Sequence, residues 1–179
     1  MPITPFHFGP GAAVKAVVPR HFSFTVFAFS QMLIDLEPIG FFLFTGDPVH
    51  PYLHTYLGAI LVFLMSWWAG RPVCEWALRV WNGWLSSAQA RWLAYEPRIS
   101  ITAAALGAFI GAYSHVAIDS IMHADMRPFA PFSDSRPWLD LTSIDTLHLV
   151  GITAGVIGVS GLFVWRWLEL QRKPPMNSS

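Results

Sequence analysis

The chain has 179 residues, 54% of them hydrophobic and only 12% charged, with 9 Trp, 14 Phe and a mean hydropathy of +0.45. Soluble domains carry about 25% charged residues, so half that share points to lipid as the solvent. Zero net charge and a single cysteine, Cys74, exclude a basic nucleic-acid footprint, an intramolecular disulfide framework and a CxxC zinc knuckle.

The length suits one domain, read here as residues 1–170 with a frayed tail at 171–179. The start, "MPITPFHFGPG", lacks the basic stretch that opens a secretory signal. Pro10 and Pro19 then bracket "GAAVKAVV", and "HFSFTVFAFSQMLIDLE" follows. Proline inside a helix costs about 3 kcal/mol, so the sequence predicts two short helices, 9–18 and 21–36, turning at Pro19-Arg20. The alternative is one long spanning helix with an interfacial start. The hairpin returns His7 and Asp35 to the same side of the membrane.

Three apolar runs follow, at 56–70, 99–119 and 147–168, near the ~20 residues that cross a bilayer. The last two are rich in Gly, Ala, Ser and Thr, which let membrane helices approach closely. Between the first two runs lies "EWALRVWNGWLSSAQARWL" (75–93). There Trp76, Val80, Trp81, Trp84, Ala88 and Trp92 share one helical face, with Arg79 and Arg91 away from it. This pattern predicts an interfacial amphipathic helix with a Trp belt; docking of a soluble cytoplasmic protein is the other use of the same face. The expected fold is therefore all-α: a polytopic membrane bundle of three long spanning helices, an N-terminal pair of shorter ones and a cytoplasmic-side amphipathic helix.

Charge orients this bundle. Lys15, Arg20, Arg71, Arg79, Arg91, Arg98, Arg166, Arg172 and Lys173, nine of the eleven basic residues, fall on one side. The positive-inside rule makes that side cytoplasmic, with the C-terminus. The other side keeps Arg127 and Arg136 with Asp35, Glu37, Asp47, Asp119, Asp125, Asp134, Asp140 and Asp145.

The outward side also gathers histidine, in four short units: "TPFHFGPG", "LIDLEP", "HPYLHT" and "SHVAIDSIMH". His50 and His54 stand at an HxxxH spacing, and His115 and Asp119 at HxxxD, which project together if helical. Imidazole and carboxylate are ligands of zinc and of borderline or hard divalent ions. Each residue has a plainer use: an interfacial histidine bonded to water, Asp35 and Glu37 ending a helix in water, or Asp119 paired with Arg127. Their convergence at four helix ends, in so uncharged a chain, favours a site, because ionisable groups inside a membrane are expensive to keep. His21 and His148 lack a partner motif and read as surface residues. A transporter would need polar groups continuing inward, and the inner halves of the apolar runs have hardly any beyond Ser and Thr.

Taken together, "PFHFGPG" with His7, "IDLEP" with Asp35 and Glu37, "HPYLHT" with His50 and His54, and "YSHVAIDSIMHADMRPFAPF" with Ser114, His115 and Asp119 resemble the motifs of the membrane-bound metal-dependent hydrolases. Some bacterial members are described as LexA-binding, inner-membrane-associated hydrolases. The resemblance covers residues 5–132 and is that of a divergent branch. Ile34 stands for the family's proline, Glu37 for its second aspartate, and Pro51 and Leu53 for Arg and Thr; His123 and Asp125 look like additions of this branch.

The resemblance implies a multi-pass protein of the bacterial inner membrane with one or two divalent ions, zinc first and manganese or magnesium as alternatives. Bound ions lower the pKa of their water from 15.7 toward about 7, and two ions about 3.5–4 Å apart suit phosphoester cleavage. The expected metal ligands are His7, Asp35, Glu37, His50, His54, His115 and Asp119, with Glu37 and Asp119 as the catalytic candidates. Within this set His7, Asp35, His54, His115 and Asp119 form the core, Glu37 is a bridging ligand or general base, and His50 is more flexible. His123, Asp125 and Arg127 are placed in support or on substrate, Arg127 holding a phosphate unless it pairs with Asp125 or Asp134. Position alone suggests a membrane lipid or lipid-linked substrate. A non-catalytic scaffold for a cytoplasmic regulator is the alternative.

Overall fold

The computed structural model describes residues 5–46 and 49–172. A 3-10 turn, Pro5–His7, leads into α1 (Phe8–Val17), followed by α2 (Phe24–Thr45), α3 (Tyr56–Met65), α4 (Arg71–Trp84), α5 (Ser87–Leu93), α6 (Ile101–Met122) and α7 (Ile144–Arg172). Every regular element among these residues is helical, as the sequence predicts. The starts are set locally. Ser23, Thr55, Ser86 and Ser100 each accept a hydrogen bond from a backbone N–H of the first turn, satisfying donors that a helix leaves free.

Four rods are long and apolar enough to cross a membrane: Phe24–Thr45, Tyr56–Trp84, Ile101–Met122 and Ile144–Arg172. Twenty-two residues, as in α2 and α6, give about 33 Å, the thickness of a bilayer's hydrocarbon. The bundle thus has one span more than expected. The turn after α1 falls near Pro19, as expected, but α2 runs on through buried Pro38 to Thr45 instead of stopping at 36. The apolar run "IGFFLFT" after Pro38 keeps the helix going, and one lost backbone bond is tolerated inside a packed membrane helix.

The amphipathic segment also differs from expectation. Its first part, α4, continues α3 through a π-helical turn at Ser66–Gly70, and a break at Leu85–Ser86 separates it from α5. The Ser86–Gln89 capping box starts α5 afresh. Trp81 Nε1 donates to the Leu93 carbonyl at 3.0 Å, and Asn82 pairs with the Tyr95 backbone, folding α5 back onto α4. Helix α7 runs to Arg172, two residues past the expected domain end, and the rest of the expected tail, like Asp47, lies outside the described residues.

Helices α2 and α6 form the centre, with α3 against α6 and α1 against α7. The α2–α6 contact depends on missing side chains. A Cβ on Gly107 would stand 2.4 Å from the Ser23 carbonyl oxygen, and one on Gly111 1.9 Å from Ser30 Oγ. Two small apolar cores lie between the helices: Val26, Cys74, Ala103, Ala104 and Ala108 toward one end, and Ile34, Ala59, Val62, Ala112, Val116 and Met126 toward the other. Large apolar side chains on α7, such as Val150, Ile157 and Phe163, face outward, as they do where the surroundings are hydrocarbon.

This topology sorts residues between two ends of the bundle. One end collects the close of α1, the start of α2, the far part of α4, α5, the start of α6 and the close of α7. There Ser23 N–H bonds the Ala103 carbonyl, and Arg166 reaches the Arg91 and Ala94 carbonyls. The opposite end receives the 3-10 turn, residues 31–37 of α2, the segment before α3 and the last turns of α6.

Candidate metal centre

At that opposite end four elements deliver His7, Asp35, His54, His115 and Asp119. Asp35 lies on the buried side of α2, and His115 and Asp119 lie one turn apart on the buried side of α6. His54 immediately precedes Thr55, the cap of α3. All five are buried, His54 completely. His115 Nε2 is 3.3 Å from Asp35 Oδ1 and 3.2 Å from Asp119 Oδ2. His54 Nε2 is 4.0 Å from Asp35 Oδ1 and 3.7 Å from Asp119 Oδ2. His7 Nε2 is 3.1 Å from Asp119 Oδ1.

These atoms approach one another without bonding one another. Nε2 of His7, His54 and His115 and Oδ1 of Asp119 are buried and have no hydrogen-bond partner. Each such atom costs about 1–3 kcal/mol, and four together would remove much of the about 5–15 kcal/mol that keeps a domain folded. One ligand atom from each of Asp35, His54, His115 and Asp119 lies within 4.8 Å of the others. Two imidazoles and two carboxylates focused on one point fit a divalent ion, whose charge the carboxylates balance.

The far nitrogens are held from behind. His54 Nδ1 meets Glu37 Oε2 at 3.1 Å, and His115 Nδ1 donates to Gln31 Oε1. With its proton fixed on Nδ1, each ring presents a bare Nε2 to the centre, the arrangement that orients metal-binding histidines. Burial pushes the His54 imidazole below its ordinary value, against the pull of Glu37, which keeps its lone pair available.

Glu37 therefore does not stand with the ion-facing group where the sequence put it. Its carboxylate takes the N–H groups of Tyr52 (3.0 Å) and Leu53 (2.9 Å) as well as His54. Only two residues from Asp35, it points about 200° around the helix. Gln31 was not anticipated; its one signal is its place four residues before Asp35. Arg127 turns to exposed Asp134, 3.0 Å away, rather than toward the centre. His21 is exposed, and His148 stacks on Phe6 with ring centroids 4.1 Å apart.

His50 is buried but belongs to a second group, with His123 and Asp125. The HxxxH spacing has no helical meaning here, because residues 49–55 precede α3 as an irregular turn. His50 still meets His54 edge-on, ring centroids 4.6 Å apart.

Two hollows open among the described residues, the smaller of them against His7. One of about 80 Å³ is lined by His7, Ile118, Met122 and His148 among others. A second, of about 600 Å³, is an apolar groove between Tyr56, Leu57, Ile60, Tyr113, Phe129 and Phe132. Comparison of the chain with family models, curated proteins and solved structures finds no match.

Proposed function

We propose that the protein is an integral-membrane metal-dependent hydrolase that cleaves a phosphoester, with its centre at the outer membrane interface. The carrying observation is the buried group of Asp35, His54, His115 and Asp119, one ligand atom of each within 4.8 Å of the others, with Nε2 of both His54 and His115 left without a hydrogen-bond partner. The motif resemblance to membrane-bound metal-dependent hydrolases agrees with it. Zinc or manganese suits imidazole and carboxylate together better than magnesium, which prefers oxygen alone.

Divalent ions held at this end of the bundle would make hydroxide available near neutral pH. Asp35 and Asp119 would supply counter-charge, and His54 and His115 nitrogen ligands, to the buried one. His7, 3.1 Å from Asp119, extends that carboxylate into a pair through which a proton can leave an attacking water. Water adds to phosphorus, the ester oxygen leaves with a proton, and a phosphomonoester and an alcohol result. The apolar groove supports a lipid or lipid-linked substrate, since Tyr56 lies two residues from His54 and Leu57 and Ile60 of the same spanning helix are exposed. The excess of basic residues at the far end supports an outward-facing centre.

The test is metal content and phosphodiesterase activity of detergent-purified protein, wild type and Asp119→Asn. Asn keeps the size and removes the charge, so metal and activity should fall together. Metal-free wild type, or a variant that keeps both, overturns the reading and leaves the Trp-rich face of α4 as a scaffold for a cytoplasmic protein.

A further inference from the structure

Beside the buried centre stands a second group of ligand-type side chains with a different character. One ligand atom each from His50, His123 and Asp125 lies within 4.8 Å of the others. His50 Nδ1 is 2.8 Å from Asp125 Oδ2, and the His50 backbone N–H donates to the same oxygen at 3.1 Å. The His123 ring lies 4.6 Å from that of His50, centroid to centroid. Exposure is graded: His50 is buried, His123 half-buried, and the Asp125 side chain 42% exposed.

The chain builds this arrangement locally. Helix α6 ends when His123 leaves helical geometry while its N–H still bonds the Asp119 carbonyl. Met126 N–H then bonds the His123 carbonyl, its side chain fully buried, and Arg136 donates to the Ala124 carbonyl. The turn that carries His123 and Asp125 is thus pinned at both sides. Its loop partner His50 touches His54, so the two groups border one another across a single pair of rings.

We propose that His50, His123 and Asp125 hold a second divalent ion at the mouth of the buried centre, and that this outer ion is the exchangeable one. The inference rests on reading the inner group as a metal centre. Four protein ligands close a tetrahedral site, whereas three leave a position for water or substrate. The inner group of Asp35, His54, His115 and Asp119 has four, and the outer group has three and reaches solvent. Two imidazoles and one carboxylate select a first-row divalent ion such as zinc, manganese or iron(II). The outer ion therefore offers the open position for a substrate phosphate, and the inner ion is the anchor.

The experiment counts ions. Full-length protein in detergent is equilibrated with zinc or manganese, separated from free metal and analysed for bound metal, followed by stepwise chelation. Wild type should hold two equivalents, one of them released at lower chelator concentration. The pair His123→Gln and Asp125→Asn, neither an inner ligand, should hold one equivalent, with that early release gone and an unchanged melting temperature without metal. Asp35→Asn should instead lose the tightly held equivalent. Wild type with one equivalent that the pair retains, or a pair that keeps two, overturns the outer site and leaves the inner one standing. One equivalent that the pair abolishes overturns the assignment of inner and outer roles. Wild type that binds none overturns the proposed function with it.

Discussion

Glu37 grips His54 from behind, Oε2 to Nδ1 at 3.1 Å, and the same carboxylate takes the backbone N–H groups of Tyr52 and Leu53. One α2 side chain thereby fixes both the course of the loop before α3 and the tautomer of the ring that loop delivers.

Glu37→Gln should weaken metal binding without touching the ion-facing group. The amide has one acceptor oxygen where three N–H groups now converge, and its NH₂ has no acceptor to meet. Loss of such an orienting partner typically costs 10–100-fold in metal affinity or activity. Titration of metal-free protein checks this; affinity equal to wild type would show that the loop holds His54 without Glu37.

How much of this was legible beforehand follows from geometry. Asp119 follows His115 by one turn, and α6 is helical there, so spacing alone put both on one stripe. The same spacing in His50 and His54 misled, because irregular backbone has no such period and the two rings serve different groups. Asp35 and Glu37 sit two apart on a helix, a separation that opposes them, so they could not share an ion. Gln31 is an uncharged amide among apolar residues, and only the folded contact with His115 reveals it. Helix α2 passes its expected end at 36 because the apolar run beyond Pro38 outlasts the local cost of that proline.

The packing of α2 on α6 makes a prediction remote from any ligand. A Cβ on Gly111 would sit 1.9 Å from Ser30 Oγ and 2.9 Å from the Phe27 carbonyl oxygen. Gly111→Ala should push the helices apart and cost about 1–3 kcal/mol, the usual range for overpacking. Metal affinity should fall as well, since Asp35 rides on one helix and His115 on the other. Thermal unfolding and metal titration check both; an unperturbed variant would mean that the Ser30 and Phe27 side of α2 yields freely.

Acid should destabilise the metal-free protein through His54. Burial holds its folded value below the ordinary one, about 6.5. Between the two values the unfolded chain binds more protons than the folded one, so stability rises with pH and falls on acidification across that window. Melting of the metal-free protein from pH 8 to 5 should show this decline, and His54→Gln should flatten it. An equal slope in the variant would remove His54 as the cause.

Sidedness is testable with a membrane-impermeant thiol reagent after Cys74→Ser. Ser135→Cys, in the loop between α6 and α7, should label from outside, and Ser87→Cys, at the start of α5, only after the membrane is opened. The reverse pattern would place the centre on the cytoplasmic side.

Helix α7 carries none of the ion-facing residues, yet α1 lies against it so closely that a Cβ on Gly9 would stand 1.9 Å from the Gly151 carbonyl oxygen and one on Gly158 2.4 Å from the Ala12 backbone. His7 immediately precedes α1. The earliest donor in the sequence is therefore seated by a helix that is synthesised after every other side chain of the group. Until residues 151–158 leave the ribosome, the group lacks the support for one of its histidines, and its side chains can meet in full only once α7 lies against α1.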